Sequence, residues 1–271
     1  MKLRKAILTI ILMMVLVSGL ALAETKIVRI KGSSTVLPIA ESCAEAFMKK
    51  HSGIRVVVAG GGSSVGIKAV AMGEADIGTA SREVKKSEIK THKRCDFIDH
   101  KIALDGVAVI ISKNIYDSGV KGLSIKQIRG IYKGEINNWK EVGGLDKEIF
   151  VNEREEGSGT RDTFMEAIGL ERTLADKGNA HNSDVKQAVA GSDKAIGYVG
   201  LGYTGGSTPA ISVDGVFPSK VTIKKGTYKI ARSLHMYTNG RPAGAVEGFI
   251  EFVLGEEGQR IVEEEGFIRI K

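Results

Sequence analysis

The run Lys26-Ile-Val-Arg-Ile-Lys-Gly-Ser-Ser-Thr-Val-Leu-Pro38 carries the first sign of the architecture. Ile27 to Ile30 is a short β-rich segment and Gly32 to Thr35 a tight polar turn. From Pro38 to Lys50 the residues Ile39, Cys43, Ala46 and Phe47 recur on one helical face. The same order returns downstream: a strand at Arg55 to Ala59, a turn at Gly60 to Gly62, and a short helix from Val65 to Met72 with Ser63-Ser64 at its cap. Asp76 to Ala80 is a third strand. A charged helical piece from Lys85 to Lys90 and a strand from Phe97 to Ala103 follow. Strands alternating with helices predict an α/β fold with parallel sheets.

Asp105-Gly106 introduces the apolar run Val107 to Ser112, read here as a crossing between two lobes. The pattern then starts afresh, with a helix near Ser124 to Tyr132, a strand at Ile149 to Val151, a helix opening at Ser158 and a strand at Ala195 to Val199. Gly200 to Ser219 reads as loop because of its glycines and prolines. Val221 to Lys224, Leu234 to Tyr237 and Phe267 to Ile270 read as extended, and Ala243 to Leu254 and Glu256 to Glu264 as helices. The layout predicted is two lobes, each a sheet flanked by helices. Residues 24–105 and 233–271 form one lobe, and residues 106–232 form the other, inserted lobe.

Lys2, Arg4 and Lys5 precede an uncharged stretch ending in Ala21-Leu22-Ala23, which reads as an export signal cleaved after Ala23. No Cys follows the apolar run, so the expectation is a free periplasmic protein rather than a lipid-anchored one. The full chain of 271 residues has 39 basic against 32 acidic side chains, but losing the leader lowers the net charge from +7 to +4. No basic block is interleaved with aromatic residues, so nucleic acid is not an expected partner. Cys43 and Cys95 read either as a disulfide or as two small buried residues, and the spacing leaves both open. The five histidines are scattered, no metal-ligand motif is present, and neither metal nor cofactor is expected.

Three segments place a Gly/Ser/Thr turn between a strand and a helix: Gly32 to Thr35, Gly62 to Ser64 and Gly157 to Thr160. Helix starts expose unpaired N–H groups and partial positive charge, and in an open α/β sheet such turns gather at one crevice. Each is a candidate anion seat. Arg154 adds a permanent cation beside the third turn, with Glu156 expected to hold it in place. An enzyme reading competes. Gly62-Ser-Ser-Val-Gly66 fits a nucleophile elbow, with Ser64 as nucleophile and His181 or His235 as base, and would make the chain a secreted serine hydrolase.

Together Lys31 to Pro38, Gly61 to Lys68, Asp76 to Arg82, Arg154 to Thr160 and Gly255 to Val262 resemble the phosphate-binding proteins of bacterial ABC phosphate transporters. The resemblance covers nearly the whole chain after Ala23. It implies a two-lobed periplasmic binding protein, not an enzyme, acting as a monomer. Such a protein closes on phosphate in the cleft between its lobes and delivers it to membrane permease subunits. Implied phosphate contacts are Thr35, the N–H of Val36, Ser63, Arg154, Ser158, Gly159 and Thr160; Ser34 is added from its place beside Thr35. One segment departs from the pattern. Where the family has a motif ending in a carboxylate that accepts the proton of hydrogen phosphate, this chain ends in Arg82. Ser81 or Arg82 is then expected at the ligand, and Asp105 or Glu156 as the substitute acceptor. Another tetrahedral oxyanion, such as sulfate, tungstate or molybdate, is the alternative ligand.

Overall fold

The computed structural model describes residues 25–270, so the expected leader, Met1 to Ala23, lies outside the described residues. The first half runs β1 (Lys26–Gly32), α1 (Leu37–Lys50), β2 (Ile54–Ala59), α2 (Ser63–Ala71), β3 (Ile77–Ala80), α3 (Lys86–Thr91) and β4 (Phe97–Ile111). Next come α4 (Lys113–Asp117), β5 (Gly122–Leu123), α5 (Ile125–Lys133), β6 (Phe150–Arg154), α6 (Gly159–Ile168), β7 (Lys177–Asn179), α7 (Asn182–Ala190) and β8 (Ala195–Gly200). The chain closes with β9 (Ser212–Val213), α8 (Lys220–Lys224), β10 (Ala231–Asn239), α9 (Gly244–Leu254) and α10 (Glu256–Glu264).

Eight strands form one curled mixed sheet in the order β2-β1-β3-β10-β4-β8-β6-β7. Its two wings, β2-β1-β3 and β8-β6-β7, are parallel, and the antiparallel strands β10 and β4 join them. β4 belongs to both halves. Its first part pairs with β10 and its last residues, Val107 to Ile111, pair with β8. The run expected to be a bare crossing is thus a central strand. Buried on both faces, it has no reason to alternate apolar with polar residues.

Each half has its own core. Val28 and Ile30 of β1 pack with Ile39, Cys43 and Phe47 of α1 and with Phe249 and Val253 of α9. Pro38 sits in the first turn of α1, where its missing N–H costs nothing, and Phe47 meets Phe249 edge-on at 5.4 Å. Truncating Phe47 to Ala removes about 3–5 kcal/mol by cavity formation. The second core gathers Val107, Val109 and Ile111 around Trp139, Phe164 and Tyr198, with Phe164 stacked on Tyr198 at 3.9 Å. Each turn described below leaves the carboxyl end of a strand anchored in one of these cores.

Other segments also depart from the sequence reading. Val221 to Lys224 is helical, because a capping box between Ser219 and Thr222 outweighs the strand preference of its β-branched residues. Phe267 to Ile270 makes only a single bridge, Ile268 to Leu104, and α7 was not foreseen. Among the described residues no helix is long and apolar enough to cross a membrane.

Candidate functional site

The carboxyl ends of β1, β3, β6, β7 and β8 meet between the two cores. Their turns supply a ring of buried polar groups. Ser34 and Thr35 come from the turn before α1, Ser63 from the first residue of α2 and Ser81 from the end of β3. The opposite lobe contributes Arg154 from the end of β6, Ser158 and Thr160 from the start of α6, and Asn182 from the start of α7. The ring joins across the cleft: Thr35 Oγ1 lies 3.0 Å from Thr160 Oγ1 and accepts from Asn182 Nδ2 at 2.9 Å. Ser34 Oγ accepts from Arg154 Nη2 at 3.1 Å. Ser63 Oγ accepts from the Ser81 N–H at 3.0 Å and lies 3.3 Å from Ser81 Oγ. All three turns singled out in the sequence converge here.

Gly159 is required by this convergence. A Cβ at that position would lie 2.4 Å from Ser63 Oγ and 2.6 Å from Ser81 Oγ, so only glycine lets α6 begin against those hydroxyls. The first N–H groups of α6 are then aimed where the hydroxyls gather, with the helix dipole behind them. Ser158 serves as the N-cap, its Oγ accepting from the Arg161 N–H at 3.3 Å. The N–H of Val36, expected at the ligand, instead donates to Ser33 O at 3.1 Å, because the turn before α1 is closed by its own carbonyl.

Arg154 is 1% exposed, and no carboxylate holds it. Its Nε donates to Asn179 O at 3.1 Å and Nη2 to Ala180 O at 2.6 Å, while Nη1 has no partner among the described residues. Glu156, expected to fix the guanidinium, is exposed; the carbonyls of Asn179, the last residue of β7, and of Ala180 do that work, and nothing in the local sequence announced them. Burial, with the charge of Arg232 as a lesser cause, lowers Arg154 to about 10, still cationic at neutral pH.

Arg232 was missed. At the start of β10 it joins the ring: Nε and Nη2 donate to Asp105 Oδ2 at 2.9 and 2.7 Å, Nη1 to Ser81 Oγ and Nη2 to Thr35 Oγ1, both at 3.2 Å. Asp105 is therefore not a free acceptor. Its Oδ1 also takes the Leu201 N–H at 2.9 Å, and the carboxylate is wholly buried. Burial pushes Asp105 up and Arg232 down, each opposed by the other's charge. A guanidinium does not release its proton at neutral pH and three N–H bonds favour the carboxylate, so the pair is ionised.

Arg82 is likewise corrected. Its five N–H bonds go to Asp162, Glu88 twice, Glu83 O and Ser64 Oγ, which leaves none for a ligand. The enzyme reading loses its base. Among the described residues Ser64 Oγ is held by Arg82 and makes no hydrogen bond to His181 or His235. With the Asp105–Arg232 pair neutral, the ring keeps one uncompensated positive charge among hydroxyls and a helix start. That is the chemistry of an anion receptor.

The profile of the PBP superfamily domain matches residues 21–257. The phosphate-binding protein PstS of Bacillus subtilis (strain 168) is 33% identical over 245 residues, covering 89% of this chain and 80% of that protein. The chain belongs to the PstS family. Its PstS relative in Borreliella burgdorferi is 31% identical over 261 residues, 91% of each chain. Among solved structures, a substrate-binding protein assigned to a phosphate ABC transporter of Clostridium perfringens, with phosphate bound, has 38% identity and a TM-score of 0.85, over 91% of this chain and 100% of that one. An ABC-type phosphate transport receptor of Vibrio cholerae has 32% identity and a TM-score of 0.72, over 89% and 99%. These PstS relatives are solute-binding proteins.

Proposed function

We propose that this chain is an extracytoplasmic solute-binding protein that captures inorganic phosphate and hands it to the permease of an ABC transporter. The observation that carries the reading is Arg154, a buried guanidinium with neutral partners and one unpartnered nitrogen. An isolated buried cation is costly, and a tetrahedral oxyanion is the ligand that both offsets its charge and uses the surrounding donors. Thr35, Ser63, Ser81, Ser158, Thr160 and the first N–H groups of α6 provide those donors, with Ser34 orienting Arg154. Asp105 acts through Arg232, holding its Nη groups toward Ser81 and Thr35. The lobe boundaries expected near Gly106 and Arg232 fit this role, since the paired residues mark the floor of the cleft. Export through the N-terminal leader and action as a monomer belong to the same reading.

The test is calorimetric titration of ligand-stripped mature protein with phosphate, sulfate, arsenate and tungstate. Phosphate, with arsenate as its nearest mimic, is expected to bind most tightly. At 100 times the dissociation constant it should raise stability by about 2.7 kcal/mol. Small-angle scattering should show compaction, because the contacts come from both lobes. Phosphate that neither binds nor compacts the protein sinks the proposal.

A further inference from the structure

Beside the ring lies a second set of contacts between the two lobes, centred on Arg82, whose N–H groups all go to protein acceptors. Arg82 follows β3 in one lobe, and Asp162 sits in the first turn of α6 in the other. Arg82 Nε donates to Asp162 Oδ2 at 2.7 Å, and Lys85 Nζ approaches the same oxygen at 2.8 Å. Glu88 clasps the far side of the guanidinium through both oxygens at 2.8 Å, and is itself held by the Lys85 N–H at 2.8 Å. Arg82 Nη2 donates to Ser64 Oγ at 2.8 Å, and the Ser64 N–H reaches across to Gly157 O at 3.0 Å. The Arg82 side chain is 8% exposed and Asp162 24%, so water screens the pair only in part.

The geometry points to Arg82 and Asp162 as an interlobe latch, positioning residues that set how long the closed cleft retains phosphate without contacting it. The inference rests on the phosphate reading above. Asp162 is two residues beyond Thr160, so drawing it toward Arg82 seats the start of α6 against Ser63 and Ser81. Glu88 stays in the same lobe as Arg82 and keeps the guanidinium aimed whether or not the cleft is shut. Opening then breaks the buried Arg82–Asp162 hydrogen bond along with the exposed Lys85 contact to the same oxygen, and closing restores them with no search.

Charge alone gives the opposite sign. Asp162 is a carboxylate near an anion seat, and removing it by simple electrostatics should tighten phosphate binding. A latch predicts weakening. Stopped-flow release of phosphate from Asp162→Asn should therefore be about five- to thirtyfold faster than from wild type, with a much smaller change in association rate. Wild-type release should quicken with added salt more than release from the variant, and Asp162→Glu should restore slow release. Lys85→Gln, which removes the exposed partner, serves as the control and should release within about twofold of wild type. Circular dichroism and thermal unfolding establish that each variant is folded; because Asp162 is partly exposed, its amide is a mild change. Unchanged or slower release from folded Asp162→Asn overturns the latch while leaving phosphate binding intact. A wild type that binds no phosphate overturns both.

Discussion

Arg232 and Asp105 are register partners across the antiparallel pair β10–β4, and Arg232 Nη2 reaches Asp105 Oδ2 at 2.7 Å. Both side chains are buried and Arg232 also reaches Ser81 and Thr35, so the two central strands of the sheet and the polar ring share one ion pair.

Selectivity follows from that pairing. Asp105 moderates the charge of Arg232, and sulfate, which has no proton to donate, gains most when a buried carboxylate is neutralised. Asp105→Asn should narrow the preference for phosphate over sulfate, read by competition between pH 6 and 8. It should also destabilise the ligand-free protein by about 3–5 kcal/mol, because Arg232 is left buried and unpaired. A preference unchanged in the variant would remove Asp105 from any part in discrimination.

The Arg82 cluster makes stability depend on acid. Burial opposes the charge of Glu88, but hydrogen bonds from Arg82 and the Lys85 N–H hold it below its ordinary value of 4.5. A carboxyl depressed on folding contributes stability above its unfolded value, and that contribution is lost as pH falls through the folded value. The cost of Glu88→Gln should thus be about 1–2 kcal/mol at pH 7, discounted for partial exposure, and should shrink below pH 4.5. Thermal unfolding of both proteins from pH 3 to 8 checks it; a cost that does not vary with pH would mean Glu88 acts by packing.

Much of the fold was legible because strands and helices alternate with clear punctuation: β1, β2, β3, α1, α2 and α6 stand where the apolar periodicity puts them. The helix α7 was missed because its N-cap is His181, an unusual cap, closed by Asp184. The three turns announced themselves by composition. Arg232 and Asn182 did not, since their places in the ring depend on pairings between residues 127 and 147 positions apart. One signal was available: Asp105 and Arg232 stand at the two ends of the segment expected from the sequence to be inserted, and both ends of an insertion must pass the same seam.

The cysteines are free: Cys43 is buried in the core of the first lobe and Cys95 is half-buried. Burial, followed by the charge of Glu265, pushes the Cys43 thiol up to about 12, so almost none is thiolate at pH 8. Thiol titration in denaturant should count two groups, and native protein should leave Cys43 unlabelled by iodoacetamide after Cys95 has reacted. Rapid native labelling of Cys43 would show that its helix opens readily; zero thiols in denaturant would show a disulfide.

Arg154 separates stability from affinity. Ligand-free, it is a buried cation with neutral acceptors, a costly arrangement that only an anion fully compensates. Methionine matches its length and brings no charge, so Arg154→Met relieves that cost. Against this, Asn179 O, Ala180 O and Ser34 Oγ lose a donor, at about 1–3 kcal/mol each where no water replaces it. The opposing terms are similar in size, so the melting temperature without phosphate should stay within a few degrees of wild type. Binding has no such cancellation. Losing a charge-assisted partner from a desolvated anion should cost about 2–5 kcal/mol, roughly 30-fold to several-thousand-fold in affinity. Stabilisation at the phosphate concentration that saturates wild type should disappear with it. Exposed Arg172→Ala should alter neither quantity. If titration finds Arg154→Met within about threefold of wild type, a shift of only about 0.7 kcal/mol, the anion does not sit at this guanidinium.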